Sequence, residues 1–120
     1  MNEAAETGFA TSPFDVVVVP FPFTERLAAK RRPALVLSTS RFVQGSGHVI
    51  AAMITTTTLR WPSDIEIADP EAAGLVDGSI VRLKLFTLPV DLILRPLGRL
   101  VEQDAASVRS AMRGALVDLA

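Results

Sequence analysis

The 120-residue chain contains no cysteine and a single histidine, His48. Without cysteine it can form neither a disulfide bond nor a thiolate metal site, and one histidine excludes a two-histidine metal cluster or acid–base pair. The glycine patterns that cradle phosphates, GxxxxGK[ST] and GxGxxG, are also missing. We therefore expect no cofactor and no metal, and we interpret His48 as a structural residue.

Long apolar runs are absent as well. None approaches the roughly 18–20 residues that a membrane helix needs, and the residues before Thr11 include two glutamates and no basic side chain, unlike a signal peptide. The sequence therefore predicts a cytoplasmic protein. Its length predicts one domain over residues 13–120, preceded by a flexible N-terminal extension at 1–12. The hydrophobic fraction of 49% indicates an oligomer, because it is high for one small domain.

Charge is unevenly distributed, although the net charge is −1. Residues 24–60 contain six basic side chains and one acidic one, residues 61–81 contain five acidic and no basic ones, and residues 82–101 are again mostly basic. This balance argues against general coating of nucleic acid but is compatible with a local basic site. An alternative is that segments of opposite sign simply lie next to each other in the fold.

Short β-branched and alternating segments dominate the chain up to residue 101, and one helical period follows. The valine run at 16–19 predicts a buried strand ending at Pro20, and Pro33 opens a second strand. Asp64 and Glu66 are expected on the wet side of a half-buried strand, and Asp104 is expected to cap the final amphipathic helix. Further strands are predicted near 48–58, 79–86 and 97–101, with turns at 40–47 and 69–74. The prediction is a small, strongly bent antiparallel barrel with a C-terminal helix.

Arginine and threonine are the chemically interesting residues that remain. Arg32 immediately precedes Pro33 and a buried strand, so its guanidinium has a preset direction and could bind phosphate oxygens through two donors. The run 55–58 consists of four threonines at the end of an apolar strand, where sites are often built. A solvated charged turn and ordinary strand propensity explain the same two features without any function.

Several segments together resemble the MazF/PemK (Kid) family, the toxins of type II toxin–antitoxin systems. DVVVVPFPFT at 15–24 and KRRPALVLS at 30–38 carry the resemblance, followed in order by IAAMIT at 50–55, DIEI at 64–67, GL at 74–75, SIVRLKLFTL at 79–88 and LG at 97–98. The resemblance covers about residues 14–119. The chain departs from the pattern at Phe14, where the family usually has glycine, and in the short loop before Arg32.

The resemblance implies an SH3-like barrel (MazF/CcdB-like) with a C-terminal amphipathic helix, a homodimer and a cognate acidic antitoxin. It also implies a sequence-specific, metal-independent endoribonuclease, or mRNA interferase, that cleaves single-stranded RNA to 2′,3′-cyclic phosphate and 5′-OH ends. The family's arginine and threonine match Arg32 and Thr55, which are expected to be catalytic. The RNA-binding residues are expected to be Phe23, Thr24, Arg26, Lys30, Arg31, Thr56 and Lys84.

Two alternatives from other functional classes remain open. One is a CcdB-like, non-enzymatic inhibitor of DNA gyrase on a similar barrel, although such proteins depend on a tryptophan near the C-terminus and this chain ends without one. The other is a barrel that binds nucleic acid or a partner without catalysis. Phe23 and Trp61 also have two interpretations, since each could stack on an unpaired base or pack in the core.

Overall fold

The computed structural model describes residues 11–21 and 30–117. The predicted boundary between the extension and the domain stays a prediction, since residues 1–10 lie outside the described ranges. Among the described helices, none is long and apolar enough to cross a membrane. The elements are β1 (Asp15–Phe21), β2 (Lys30–Val36), α1 (Ser40–Ser46), β3 (His48–Thr55), β4 (Ile65–Glu66), a first 3₁₀ helix (Glu71–Ala73), β5 (Ile80–Pro89), a second 3₁₀ helix (Val90–Leu92), β6 (Arg95–Arg99) and α2 (Glu102–Ala115).

The described strands form one antiparallel sheet in the order β4-β5-β3-β2-β1-β6. The sheet curls into a half-barrel, which buries side chains on both of its faces. This explains the uninterrupted valine run of β1, since Val17 and Val19 pack into one cluster and Val16 into the other. The predicted mainly β fold with a C-terminal helix is confirmed.

Two core clusters result from this curling. The first core cluster contains Val17, Val19, Ala34, Val36, Val43, Val49, Ala51, Leu88, Val90 and Ile93. The second core cluster contains Val16, Leu35, Ala52, Ile54, Ile65, Ile67, Ala73, Val81, Leu100 and Val108.

β1 and β2 both continue through prolines that were predicted to lie at strand ends. β1 continues past Pro20, which pairs with Arg31, and β2 includes Pro33, which pairs with Val18. In both places the strand has a partner on one side only, because β6 pairs with β1 no further than Val18 and β3 pairs with β2 from Ala34 onward. A missing N–H is tolerated where no second neighbour needs it.

The final helix begins earlier than predicted and uses Asp104 differently. Val101 is the N-cap residue and provides no side-chain cap, while Asp104 lies inside the helix and is buried. Its carboxylate accepts hydrogen bonds from the backbone N–H groups of Ala68 at 2.9 Å and Asp69 at 3.0 Å. The prediction of an Asp104 cap was wrong, because the carboxylate finds its donors in a segment far away in sequence. It fastens α2 to the loop after β4.

Phe14 occupies the position where the resembled family usually has glycine, and its backbone shows why glycine fits there. Its φ is 75°, in the left-handed region that glycine adopts readily and bulky residues rarely do. The ring packs against the second core cluster and lies 5.2 Å from the guanidinium carbon of Arg109. Packing and a cation–π contact therefore offset the backbone strain at this position.

Candidate active site

Arg32 and Thr55 line the same cavity. The register pairs Ala34 of β2 with Met53 of β3. Because the strands are antiparallel, Arg32, two residues before Ala34, and Thr55, two residues after Met53, lie at the same end of the pair. The cavity has a volume of about 240 Å³. Its lining consists of Arg32, Pro33, Ile54, Thr55, Thr56, Gly74, Leu75, Val76, Ser79 and Leu97.

Arg32 has unused hydrogen-bonding capacity at this cavity. The side chain is half-buried, and its buried Nε has no hydrogen-bond partner among the residues that the structure describes. Within the same ranges no carboxylate pairs with this guanidinium. Buried donors are nearly always satisfied in folded proteins, so an unpaired one at a cavity indicates a place for an acceptor from a ligand. A phosphate oxygen has the matching chemistry.

The threonine run forms two successive turns closed by side-chain hydroxyls. The Thr55 hydroxyl oxygen accepts from the N–H of Thr57 at 3.3 Å, and the Thr57 hydroxyl accepts from the N–H of Leu59 at 3.2 Å. Turns of this type lead the chain out of β3. Because the Thr55 hydroxyl acts as acceptor in its turn, its own hydrogen is available for donation into the cavity.

Two glycines allow the wall of the cavity to close. A Cβ atom at Gly74 would lie 2.5 Å from the carbonyl oxygen of Leu97, and one at Gly98 would lie 2.7 Å from the carbonyl carbon of Ala73. The first 3₁₀ helix therefore packs backbone against backbone on β6. Ser79 is buried beside this wall and donates to the carbonyl oxygen of Val76 at 2.7 Å. Sequence reasoning missed these wall residues, although the glycines of the motifs at 74–75 and 97–98 signal a close approach.

The other predicted RNA-binding residues are not all at this cavity. Thr56 lines it, whereas Lys30 and Arg31 are exposed at the start of β2. Lys84 lines a separate cavity of about 260 Å³ together with Phe21, Met53, Leu85 and Phe86. The predictions for Phe23, Thr24 and Arg26 concern residues that lie outside the described ranges. The structure thus brings Arg32, Thr55 and Thr56 together but places Lys84 elsewhere.

The alternation predicted that Asp64 would lie on a solvent-exposed face, and this prediction was wrong. Asp64 is instead paired with Arg82. Arg82 Nε donates to Asp64 Oδ1 at 3.0 Å and Nη2 donates to Oδ2 at 2.7 Å, and the Asp64 side chain is only 4% exposed. The guanidinium lies 4.8 Å from the centroid of the Trp61 ring. This pair joins the acidic segment to the basic segment that follows it, in agreement with the alternative in which the two segments are neighbours.

Asp64 and Arg82 each shift the pKa of the other toward the charged form. Hydrogen bonds from Arg82 lower the pKa of Asp64, burial opposes them, and the N–H of Trp61 together with the positive charges of Arg82 and Arg60 lowers it further. The same partner raises the pKa of Arg82. Both groups therefore stay charged over the whole physiological pH range.

His48 lies at the opposite end of β3 from Thr55. The strand from His48 to Thr55 has eight residues, so the two are separated by roughly 23 Å along it. The His48 side chain is exposed, and its Nδ1 lies 2.9 Å from the carbonyl oxygen of Ser46. No group of three or more histidine, aspartate or glutamate side chains within 11–21 and 30–117 is arranged to hold a metal ion.

Several solved structures have a fold similar to this one. The fold is similar to that of MazF in the MazE–MazF complex of Deinococcus radiodurans, with a TM-score of 0.74, 21% identity, and coverage of 92% of this chain and 99% of that one. It is also similar to a mycobacterial endoribonuclease solved with its cognate antitoxin (TM-score 0.68, 20% identity, 91% and 95% covered) and to the Mycobacterium tuberculosis toxin MazF-mt6 (TM-score 0.66, 23% identity, 84% and 94% covered).

Sequence comparison assigns the family. No curated protein matches the chain significantly. A family model described as the PemK-like, MazF-like toxin of type II toxin–antitoxin systems matches residues 12–116, which span all the strands and α2 described above. The chain therefore belongs to the PemK-like, MazF-like family of type II toxin–antitoxin toxins.

Proposed function

We propose that this toxin is a sequence-specific, metal-independent endoribonuclease that cleaves single-stranded RNA at the cavity of Arg32 and Thr55. The observation that carries the proposal is the unpaired, buried Nε of Arg32 in a cavity that Thr55 also lines. Relatives of the same fold are endoribonucleases, which supports the same reaction for this chain. Family membership also favours it over gyrase inhibition.

The proposed reaction uses a nucleophile that the substrate itself provides. The ribose 2′-oxygen attacks the adjacent phosphorus and loses its proton, the bond from phosphorus to the 5′-oxygen of the next nucleotide breaks, and that oxygen takes up a proton. The products are a 2′,3′-cyclic phosphate and a 5′-OH. The protein's task is to hold the attacking and leaving oxygens in line and to stabilise the added negative charge on the phosphoryl oxygens.

Arg32 is suited to charge stabilisation rather than proton transfer. A guanidinium holds its proton so strongly that it is a poor acid or base near neutrality. It offers parallel N–H donors that fit two phosphoryl oxygens. The Thr55 hydroxyl adds a third donor, because its oxygen is already held by the Thr57 N–H. We assign Arg32 and Thr55 to the developing negative charge.

Assembly as a homodimer that an acidic antitoxin inhibits is part of the proposal. Leu85, Leu116 and Val117 are 37%, 40% and 78% exposed, and they lie on β5 and at the end of α2, where they provide apolar surface for a two-fold symmetric contact. Similar folds occur in complexes with antitoxins, and family membership supports a cytoplasmic location. A solution mass near 13 kDa, the mass of one chain, would exclude the dimer.

Digestion of a long single-stranded RNA in excess EDTA tests the activity. We expect cleavage at a recurring short sequence, with cyclic phosphate and 5′-OH ends identified by mass spectrometry. A substrate with deoxyribose on the 5′ side of the mapped bond should resist cleavage, because it has no attacking oxygen. Cleavage that needs Mg²⁺ would refute the mechanism, and no cleavage by the purified toxin would favour the non-catalytic alternative.

A further inference from the structure

The loop between β3 and β4 presents an exposed aromatic ring that the proposed chemistry does not use. Trp61, the single tryptophan of the chain, is 43% exposed. The indole ring is among the largest apolar groups of a protein, so a ring left at the surface forgoes a large area of burial. Trp61 instead remains at the surface.

Several contacts hold the ring in place. The backbone N–H of Trp61 donates to Asp64 Oδ2 at 2.8 Å, and the N–H of Asp64 donates back to the Trp61 carbonyl oxygen at 3.0 Å. Arg82 lies against the ring at 4.8 Å and donates to the carbonyl oxygen of Leu59 at 2.7 Å. The loop is thus fastened on both sides of Trp61, so little conformational entropy remains to be lost when a ligand binds.

The charges around the ring favour a nucleotide as its ligand. The charge of Arg82 is balanced by Asp64, whereas Arg60 is exposed and forms no ion pair with any residue in the described ranges. A flat ring next to an exposed cation without an ion-pair partner in the described ranges matches an unpaired base next to its phosphate. A purely apolar peptide would need the ring but would leave the Arg60 charge without a partner.

Strand register and chain length limit how far Trp61 lies from the cavity. Arg82 pairs with Met53 and Ile80 pairs with Thr55, so Arg82 is two strand positions, or about 7 Å, from the level of Thr55. The five residue-to-residue steps from Thr56 to Trp61 span at most about 18 Å. A single strand that passes through the cavity therefore reaches Trp61 within a few nucleotides.

We propose that Trp61, fixed by Asp64 and Arg82, is a stacking platform for an unpaired base of the RNA near the scissile phosphate. It positions the substrate, and Arg60 contacts the RNA backbone. Aromatic stacking is the usual way in which proteins hold unpaired bases. This inference rests on the proposed function, because it assigns a subsite to the same RNA.

Binding is measured with the full chain and a 2′-O-methyl RNA, which has no free 2′-OH and cannot be cleaved. The RNA contains a mapped cleavage sequence, or mixed sequence if the toxin does not cleave. Stacking should quench the fluorescence of Trp61. The anisotropy of labelled RNA should show about 10-fold weaker binding for Trp61→Ala, and near wild-type binding for Trp61→Phe, which keeps a flat ring.

Leu59→Ala is the matched control, because Leu59 is an apolar side chain on the same loop that is 80% exposed. We expect it to bind RNA like the wild type. Arg60→Ala should flatten the slope of log K against log salt by about 0.7, the value for one phosphate contact on single-stranded nucleic acid. An unchanged slope would remove Arg60 from the proposal.

Cleavage kinetics distinguish this inference from the proposed function. If the wild type cleaves RNA and Trp61→Ala raises KM with a smaller effect on kcat, the platform is supported; equal KM values would overturn it. If the wild type does not cleave, the proposed function fails, while quenching by 2′-O-methyl RNA still decides the stacking. Weaker antitoxin binding by Trp61→Ala with unchanged RNA binding would overturn the platform in favour of a protein contact.

Discussion

Arg32 and Arg82 lie on strands of one sheet but differ in how their hydrogen-bonding capacity is used. Arg82 is bound by Asp64, by the Leu59 carbonyl and by the face of Trp61, whereas the buried Nε of Arg32 has no partner in the described part of the chain. A satisfied arginine stabilises the fold, and an unsatisfied one at a cavity is available to a ligand. The contrast separates residues of similar chemistry into different roles.

The strongest test of this contrast is the substitution Arg32→Lys. We expect cleavage to fall by on the order of 10³-fold or more, because lysine keeps the charge but cannot form two parallel hydrogen bonds. The thermal midpoint should stay near that of the wild type, since Arg32 has no ion pair within 11–21 and 30–117 to lose. Initial rates and thermal melts measure both. The exposed Arg113→Lys is the control, and normal cleavage by Arg32→Lys would reduce Arg32 to a tether.

Thr55→Ala is expected to have the next largest effect. Loss of one donor to the developing charge should reduce kcat by about 10²-fold, while Thr55→Ser should restore most of it. Thr58→Ala serves as the control, because Thr58 is exposed and its hydroxyl has no hydrogen-bond partner among the described residues. Single-turnover cleavage at saturating enzyme gives the rates. A Thr55→Ala toxin that cleaves normally would move the role to Thr56 or Thr57.

The cavity wall is tested by adding one methyl group. Gly98→Ala should lower the free energy of unfolding by about 1–3 kcal/mol, because the new Cβ meets the backbone of Ala73 at 2.7 Å and the wall must shift. Urea denaturation measures the change. Gly114→Ala is a matched control within α2, where a Cβ would have no neighbour within 4 Å, and should stabilise by up to about 1 kcal/mol. If Gly98→Ala has the same free energy of unfolding as the wild type, the backbone of the wall can shift without cost and the prediction is wrong.

The smallest expected effect is the pH dependence of the stability that the ion pair of Asp64 and Arg82 provides. The pKa of Asp64 is lower in the folded protein than its ordinary value of 3.8, so its stabilisation is present above that value and is lost as pH falls through the folded pKa. The stability difference between wild type and Asp64→Asn should therefore be present at pH 7 and shrink at lower pH, below about 4. Urea denaturation at several pH values tests this, with the exposed Glu66→Gln as control. A gap that is constant with pH would contradict the ion pair.

Local patterns were sufficient for the strands and for the presence of a final helix, whereas the association of Arg32 with Thr55 came from the resemblance to the family. The valine run and the Arg-Pro step are each made of residues adjacent in sequence, and local patterns describe such short distances well. Asp64 with Arg82 and Asp104 with Ala68 are 18 and 36 residues apart. The alternation pattern predicted that Asp64 faces water, because the pattern describes only the two faces of one strand. It contains no information about Arg82 on the neighbouring strand. The cavity wall was missed for the same reason, since it forms only where two distant backbones meet.

The strained backbone at Phe14 has a consequence for which sequences the position tolerates. Glycine would relieve the positive φ and lose the ring's contacts, whereas phenylalanine accepts the strain and keeps them. Alanine would have neither advantage, so Phe14→Ala should melt at a lower temperature than both the wild type and Phe14→Gly. Stability along the series from small to large side chains thus passes through a minimum. Position 14 and its cation partner Arg109 therefore form a coupled pair in which the benefit of one residue depends on the presence of the other.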